Sequence, residues 1–257
     1  MKFTHAIVRP PPGSFAGGLT TAADGPPDLD LALVQHRAYC EALAACGLEL
    51  AELPPDPGHP DSCFVEDTAI LTARGAVLTR PGAASRRGEV AGIGAVLRDR
   101  FSELQRIEAP GTVDGGDVCE ADGHFLIGIS ARTSEAGARQ LAGILGDWGY
   151  RASLVDLSGQ PSLLHLKSGI SYLGGGHMVV APALAGHPAL AGFDTTVTAP
   201  GEDYAANCIA MNGRVLVAAC YPRLAATLAG AGHEVLVLEV SEFRKMDGGL
   251  SCLSLRS

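Results

Sequence analysis

The sequence lacks the features that would place it in a membrane, on a nucleic acid or in a disulfide-rich scaffold. No apolar run approaches the roughly 18 residues needed to span a bilayer, so we expect no membrane partner. Lys and Arg number 19 against 28 Asp and Glu and form no block, which disfavours nucleic acid as a partner. The 7 cysteines are odd in number and show no C-x-x-C spacing, which argues against disulfides and structural zinc.

Two further absences concern location and order. The opening segment, MKFTHAIVRPPPG, contains no apolar stretch of signal-peptide length, and with unpaired cysteines this predicts a cytoplasmic location. Charged residues make up only 18% of the chain and hydrophobic residues 47%, which excludes a disordered protein and supplies a substantial core. A length of 257 residues fits one large domain or two small ones.

What the sequence does contain is a repeated pair of short strands. Four copies share a first apolar strand, a glycine-containing turn and a second apolar strand, and they run through 64–79, 113–128, 164–181 and 207–218. Asn212-Gly213 is a strong hairpin signal, because both residues tolerate positive φ. The last strand, within 249–253, needs a partner from the N-terminal strand 4–8, and that pairing would close the repeats into a ring.

Helical periodicity follows several of these hairpins. We predict helices over 29–46, ending before Gly47, over 85–101 capped by Ser85, and over 133–148 capped by Thr133. About five such units, spaced by roughly 40 to 50 residues, are typical of closed repeat architectures. We therefore predict an α/β fold, a five-bladed α/β propeller of ββαβ repeats with pseudo-fivefold symmetry, as a single domain over residues 1–257. An ordinary mixed α/β sheet is the alternative.

Polar residues stand where the first strand of each repeat begins. They are Glu66, Asp67, Asp114, Asp117, His165, Lys167, Asn207, Asp247 and Cys252. In a closed ring these ends meet at the central axis, and buried polar groups need partners there. Clustered carboxylates repel one another unless a cation lies among them. A guanidinium suits them, because it is planar and donates paired hydrogen bonds to carboxylates.

A cysteine at the same axis would be a nucleophile for that cation. The thiolate of Cys252 would attack the central guanidinium carbon, and His165 would protonate the departing amine and then take a proton from water. The ordinary thiol pKa of about 8.5 must be lowered by positive charge, which the bound cation would provide. Structural alternatives exist for each residue: a core histidine, an inert packed thiol, a Lys167 that balances carboxylates, and an Asn207 that satisfies backbone groups.

Six segments resemble the dimethylarginine dimethylaminohydrolases of the guanidino-modifying, pentein-fold superfamily. They are FVED at 64–67, RPGAASRR at 80–87, VDGGDV at 113–118, LHLKS at 164–168, AANC at 205–208 and MDGGLSC at 246–252. The resemblance implies the five-bladed pentein fold and hydrolysis of Nω-methylated L-arginines to L-citrulline and dimethylamine or methylamine. It implies a covalent S-alkylthiouronium intermediate on cysteine, with no cofactor and no metal. The small-molecule partner would be a methylated arginine, bound by a monomer or homodimer.

Carried over residue by residue, the resemblance assigns Cys252 as nucleophile and His165 as general acid and base. Asp114 would orient the histidine and contact the guanidinium, although some bacterial relatives have glutamate at that place. The substrate-binding residues would be Leu19, Asp61, Glu66, Asp67, Arg86, Arg132, Met246 and Asp247. Arg86 and Arg132 stand at predicted helix starts, where a cation opposes the helix dipole, and a substrate carboxylate would explain both.

The Gly- and Pro-rich stretch 10–27 precedes the first long helix and is predicted to be a lid over the site. Two alternatives to this function stay open. One is an arginine deiminase, or another guanidine hydrolase or amidinotransferase of the superfamily, although several of these are longer. The other is a non-catalytic pentein-fold binding protein, since fold does not imply function. The thiol with its histidine and carboxylates favours the enzyme.

Overall fold

The structure is a computed structural model that describes residues 2–257, and within them five three-stranded sheets surround a central axis. In chain order the strands are β1 His5–Val8, β2 Glu49–Glu52, β3 Ala69–Leu71, β4 Ala76–Leu78, β5 Leu104–Arg106, β6 Val118–Ala121, β7 His124–Ile129, β8 Arg151–Asp156, β9 Ile170–Gly174, β10 His177–Val180, β11 Asp194–Val197, β12 Ile209–Met211, β13 Arg214–Ala218, β14 Glu234–Leu238 and β15 Ser254–Arg256. The α-helices are α1 Leu29–Ala45, α2 Glu89–Arg100, α3 Glu135–Asp147, α4 Pro222–Gly230 and α5 Ser241–Arg244.

Every sheet has the same connectivity. An inner strand pairs antiparallel with a middle strand, and the middle strand pairs parallel with an outer one, as in β3-β4-β5 and β6-β7-β8. An α-helix crosses from the middle to the outer strand in four blades, because parallel neighbours need such a crossover. Between β10 and β11 two short 3₁₀ turns take its place. The predicted five-bladed propeller of ββαβ repeats is confirmed.

The ring closes as the sequence indicated. β15 pairs antiparallel with β1, so that Ala6 lies opposite Arg256, and β2 completes this sheet on the other side of β1. The two ends of the chain therefore share one blade. Within residues 2–257, no helix combines the length and apolarity that crossing a bilayer requires.

The inner strands begin later than predicted, because a 3₁₀ turn precedes each of them. These five segments, here called the axial turns, are Val65–Thr68, Gly115–Asp117, Leu166–Ser168, Asp203–Ala206 and Ser251–Leu253. Most of the polar residues singled out in the sequence lie in or beside them. A 3₁₀ turn has about three residues per turn, so consecutive side chains leave it in different directions.

Side chains of the axial turns bind the backbone of the next turn. Asp67 Oδ1 accepts the N–H of Gly116 at 2.8 Å, and Asp117 Oδ1 accepts that of Leu166 at 2.9 Å. Asn207 Oδ1 accepts the N–H of Ser251, also at 2.9 Å. The side chains of Asp117 and Asn207 therefore accept backbone hydrogen bonds at the axis. Gly115 lies in one of these axial turns, at a position where there is no room for a Cβ.

The helix predictions were accurate for α1 and wrong in their caps elsewhere. α1 ends one residue before the predicted position, and Gly47 follows with a φ of +88°. Residues 84–86 form a 3₁₀ turn, so α2 starts at Glu89 and Ser85 caps nothing. At α3 the cap is Ser134, whose side chain accepts the N–H of Gly137. The hydroxyl of Thr133 accepts the N–H of Asp114 instead, which ties it to the axis.

Apolar side chains fill the space between neighbouring sheets and under the crossover helices. The largest cluster joins Tyr39 and Leu43 of α1 to Leu216 of β13 and Leu228 of α4. Each such side chain, when fully buried, contributes about 1.5–3 kcal/mol relative to exposure. The core thus fixes the blades from outside, while the axial turns join them at the centre.

Replacing Gly115 by alanine tests the close approach of two axial turns. A Cβ there would lie 1.9 Å from the carbonyl oxygen of Glu66, so the backbone must move. We expect the free energy of unfolding to fall by about 2–4 kcal/mol, measured by urea denaturation.

The control is Gly143→Ala, in α3, where a Cβ meets nothing within 4 Å. Because alanine favours helix, this variant should gain up to about 1 kcal/mol. Unchanged stability of the Gly115→Ala protein would contradict the close packing.

Candidate active site

A cavity at the axis brings together residues that are far apart in sequence. It is lined by Leu19, Asp61, Phe64, Asp67, Arg86, Arg132, Leu164, His165, Met246, Asp247, Gly248 and Cys252. Nine of the eleven predicted site residues are among them; Asp114 and Glu66 are not. The thiol of Cys252 and the imidazole of His165 thus face the same space.

The thiol lies in the last axial turn, shortly after the double glycine Gly248-Gly249. The N–H of Gly249 donates to Cys252 Sγ at 3.4 Å, and a Cβ on Gly249 would come within 2.6 Å of Asn207 Oδ1. The double glycine therefore permits a tight approach of the turn to its neighbour. Burial, with the negative charges of Glu66 and Asp67, raises the pKa of Cys252 to about 12. Without a ligand the thiol is protonated at neutral pH.

The imidazole is held by a buried carboxylate behind it. His165 Nε2 lies 3.1 Å from Asp114 Oδ2, and the other Asp114 oxygen accepts the N–H of Gly82 at 2.8 Å. Burial by itself would lower the pKa of His165, but Asp67, Asp117 and Asp114 raise it to about 9. The ring is therefore an imidazolium, protonated on both nitrogens, at neutral pH. Asp114 is fully buried and its carboxylate contacts the histidine, but it does not line the cavity.

Asp67 is paired with an internal arginine. Arg86 Nη1 lies 2.5 Å from Asp67 Oδ2, and Glu89 binds Arg86 Nε at 3.0 Å and Nη2 at 2.8 Å. Burial would raise the pKa of Asp67, but His165 and Arg86, with hydrogen bonds from Arg86 and Gly116, lower it to about 2. Glu89 was not singled out in the sequence, although its i,i+3 spacing from Arg86 is a signal for a paired charge.

The two arginines thus differ in their partners. The position of Arg86 at the start of a helix is explained by Asp67 and Glu89, without a substrate carboxylate. Within residues 2–257 no carboxylate lies within ion-pair distance of Arg132, which also faces the cavity. Arg132 is therefore the cavity cation that remains open to an anionic group.

Glu66 points away from the cavity, contrary to the prediction that it contacts the substrate. Its carboxylate lies 2.6 Å from Lys167 Nζ, 2.7 Å from Ser251 Oγ and 3.4 Å from Arg256 Nη2. The physical reason is its place in an axial turn, where the neighbouring Asp67 and Glu66 side chains diverge. The structure therefore brings Asp67 to the cavity and Glu66 to its back.

Part of the segment 10–27, which the sequence predicts to be a lid, is bound at the edge of the cavity. The N–H of Leu19 donates to Asp61 Oδ1 at 3.0 Å, and the N–H and hydroxyl of Thr21 donate to Asp247 Oδ2 at 2.6 and 3.0 Å. Asp247 adopts a left-handed φ of +57°. Burial raises the pKa of Asp61, which lies under this segment. Asp61 and Asp247 therefore hold the segment 18–22 at this edge of the cavity.

Three side chains have the types and spacing of a metal site. Oxygen and nitrogen atoms of Asp67, Asp114 and His165 lie within 4.8 Å of one another. Asp67 is already bound to Arg86, and Asp114 to His165 and the Gly82 N–H. A divalent cation would have to compete with the guanidinium and the imidazolium, so the geometry favours proton transfer over metal binding.

A half-buried thiol, an imidazolium backed by a carboxylate, and an Asp–Arg pair thus meet on the axis of a five-bladed α/β propeller. The sequence model of the family described as arginine deiminase matches residues 54–202. The N-terminal domain of ArgZ, an arginine dihydrolase, shares the fold at 18% identity, with a TM-score of 0.86 over 100% of this chain and 97% of that one.

Full-length relatives narrow the family. N(G),N(G)-dimethylarginine dimethylaminohydrolase of Pseudomonas aeruginosa is 44% identical over 99% of both chains, and that of Streptomyces coelicolor is 37% identical over 100% of this chain and 98% of the other. A cysteine-to-serine mutant of the Pseudomonas enzyme, complexed with citrulline, superposes with a TM-score of 0.97 at 43% identity over 100% of each chain. The chain belongs to the dimethylarginine dimethylaminohydrolase family, within the arginine deiminase family.

The variant Asp114→Asn tests the charge behind His165. It removes one of the three carboxylates that raise the pKa of the imidazole, so that pKa should fall from about 9 by roughly one unit. The measurement is an NMR titration of the His165 ring. Asp156→Asn, an exposed carboxylate at the end of β8, is the control and should leave the titration unchanged.

Stability should follow the same proton. The folded pKa of His165 lies above its unfolded value, so its protonation stabilises the fold fully below about pH 6.5, and this is lost as pH rises through about 9. Asp114→Asn should flatten that part of the stability curve. A His165 titration identical in both proteins would contradict the role of Asp114.

Proposed function

We propose that this protein hydrolyses asymmetric dimethylarginine and monomethylarginine to L-citrulline and dimethylamine or methylamine. The observation that carries the proposal is the shared cavity, in which a thiol and an imidazolium face a carboxylate-lined space. The full-length relatives named dimethylarginine dimethylaminohydrolase support it, as does the citrulline in a relative's structure. The protein is thus a hydrolase of C–N bonds in linear amidines.

Binding of the substrate cation supplies the charge that the thiol lacks. The guanidinium would lie against Asp67, whose pKa of about 2 keeps it ionised. Its positive charge beside Cys252 opposes the effect of the nearby carboxylates, so the thiol loses its proton to solvent when the substrate arrives. The resting state, a neutral thiol beside an imidazolium, becomes a thiolate only in the complex.

The reaction then proceeds in two steps, formation of a covalent intermediate on Cys252 and its hydrolysis. Cys252 Sγ bonds to the guanidinium carbon, and His165 donates its proton to the methylated nitrogen as that C–N bond breaks and the amine leaves. This leaves an S-alkylthiouronium on Cys252 and a neutral His165. The imidazole next takes a proton from water, and the resulting hydroxide bonds to the same carbon. The C–S bond then breaks and the added hydroxyl loses its proton to solvent, which releases citrulline and the Cys252 thiolate.

The amino-acid end of the substrate would bind at the lid. Arg132 offers an unpaired guanidinium for the α-carboxylate, a pairing that is strong when bidentate. Asp61 and the backbone of Leu19 and Met246 lie beside it and would receive the ammonium group. Arg86 contributes charge to the cavity wall, but Asp67 and Glu89 occupy most of its donors.

We further propose that the chain is one domain, because the first and last strands share a sheet. A cytoplasmic location is supported by the seven free cysteines of the structure. A monomer or homodimer remains the prediction for its assembly.

A substrate panel tests the function. Citrulline formation from asymmetric dimethylarginine, monomethylarginine and arginine should follow methylation, with arginine the poorest substrate. Cys252→Ser should lower kcat by at least about 10³-fold, because a serine hydroxyl is not ionised at this site. Cys220→Ser, at an exposed position, is the matched control and should retain full activity. Equal or greater turnover of arginine would overturn the assignment.

Alkylation of Cys252 tests the resting protonation state. With a pKa of about 12, its rate with neutral iodoacetamide should rise about tenfold per pH unit from pH 7 to pH 10. The cationic 2-chloroacetamidine should label Cys252 faster at pH 7, because its amidinium replaces the substrate guanidinium. Peptide mapping by mass spectrometry separates Cys252 from the exposed Cys220. A rate that levels off below pH 9 would show an ionised resting thiol and contradict the mechanism.

A further inference from the structure

A charged cluster lies behind the nucleophile, on the side away from the cavity. This back cluster consists of Glu66, Lys167, Ser251 and Arg256. Glu66 is its centre: it is only 3% exposed and receives two cations and a hydroxyl. Leaving such a carboxylate without a partner is costly, because it cannot be rehydrated in place.

The back cluster is joined directly to the turn that carries the thiol. Ser251 precedes Cys252 and donates its hydroxyl to Glu66 at 2.7 Å. The amide of Asn207 donates to Ser251 Oγ and to the carbonyl of Lys167, both at 2.9 Å. The axial turn Ser251–Leu253 is therefore held by Glu66 on one side and by Asn207 on the other. Glu66 and Asn207 each also contact Lys167.

Charged groups from two axial turns, and a hydroxyl from another, face Cys252. Glu66 and Asp67 belong to the first, and both disfavour the thiolate; His165 and Lys167 belong to the third. The hydroxyl of Tyr204, from the fourth, is neutral at the pH of the reaction because burial raises its pKa. Of the two cations, His165 is committed to proton transfer, so Lys167 is the nearer permanent positive charge on Glu66, with Arg256 farther from it.

We propose that Lys167 is a positioning residue for the nucleophile: it offsets the charge of Glu66, so that this carboxylate holds the Ser251–Cys252 turn and opposes formation of the thiolate less strongly. The inference rests on the proposed role of Cys252. Lys167 does not line the cavity, so it acts through Glu66 and has no contact with the substrate. Neither Glu66 nor Lys167 is then a substrate contact; they form a support behind the reacting sulfur.

The variant Lys167→Met leaves Glu66 with the more distant Arg256. We expect alkylation of Cys252 by iodoacetamide at pH 8 to slow about tenfold, the effect of one pKa unit. For the substrate, kcat should fall at least about tenfold while KM changes little, because no binding group is lost. Lys167→Arg keeps the charge and should restore most of both rates.

The double variant K167M/E66Q separates charge from structure. If Lys167 acts by neutralising Glu66, removing both charges returns the alkylation rate to that of the parent protein or above it. If Lys167 is only structural, the double variant stays slow, and the inference fails. If Lys167→Met does not fold, the double variant and Lys167→Arg still test the inference. Arg139→Met removes a cation from the exposed pair with Glu135 and is the control without effect.

The alkylation rates do not depend on turnover. A protein that fails to hydrolyse methylarginines but shows the predicted alkylation pattern would overturn the proposed function and keep the role of Lys167. An unchanged alkylation rate in folded Lys167→Met, in a protein that does hydrolyse methylarginines, would overturn the role of Lys167 alone.

Discussion

One kind of hydrogen bond recurs at the axis and joins neighbouring blades: a side-chain oxygen in or beside one axial turn accepts a backbone N–H of the next. Short 3₁₀ turns leave N–H groups without partners, and at the centre of a propeller there is little water to satisfy them. Asp67, Asp117 and Asn207 supply the acceptors. Losing one would leave a buried donor unsatisfied, at a cost of about 1–3 kcal/mol. The polar character of the axis is therefore required by the fold itself, and the chemistry uses what the fold requires.

The carboxylates that serve this purpose create a charge problem, which is solved in two layers. In front, Arg86 lies between Asp67 and Glu89; behind, Lys167 and Arg256 lie against Glu66. The protonated His165 lines the cavity and contacts Asp114. The carboxylates around the site stabilise cations and disfavour a second anion, so the neutral thiol of Cys252 is the stable resting form. A bound guanidinium would offset these carboxylates and favour the thiolate.

The sequence predicted the architecture well, because each hairpin carries its own turn signal and the closing pair of strands was the simplest completion of the repeat. It misplaced the boundaries at the axis. In an extended strand Glu66 and Asp67 would point to opposite faces of the sheet, whereas the 3₁₀ turn directs Asp67 to the cavity and Glu66 to the back cluster. Nothing in apolar periodicity separates these two cases, since the turns are fixed by acceptors from other blades. The caps Ser85 and Thr133 failed for the same reason: Thr133 is bound to Asp114, and the Arg86 segment to Asp67.

The site residues were predicted better than their partners. The motifs located Cys252, His165 and Asp67, all of which line the cavity. They did not show that Arg86 is balanced internally or that Glu89 is involved, because an arginine followed by a glutamate three residues later is also common on exposed helices. Burial decides between these interpretations, and burial is a property of the assembled blades.

The sharing of one sheet by β1 and β15 has a consequence for how the protein is made. Strand pairing between distant parts of a chain forms slowly, because a long loop must close first. Cys252 stands two residues before β15, whereas Asp67, Asp114 and His165 belong to blades whose hairpins form from local contacts. During synthesis and folding the sulfur is thus among the last groups to reach its place, and a chain that has not yet joined its two ends carries the proposed nucleophile on a free segment, apart from the histidine that would complete it.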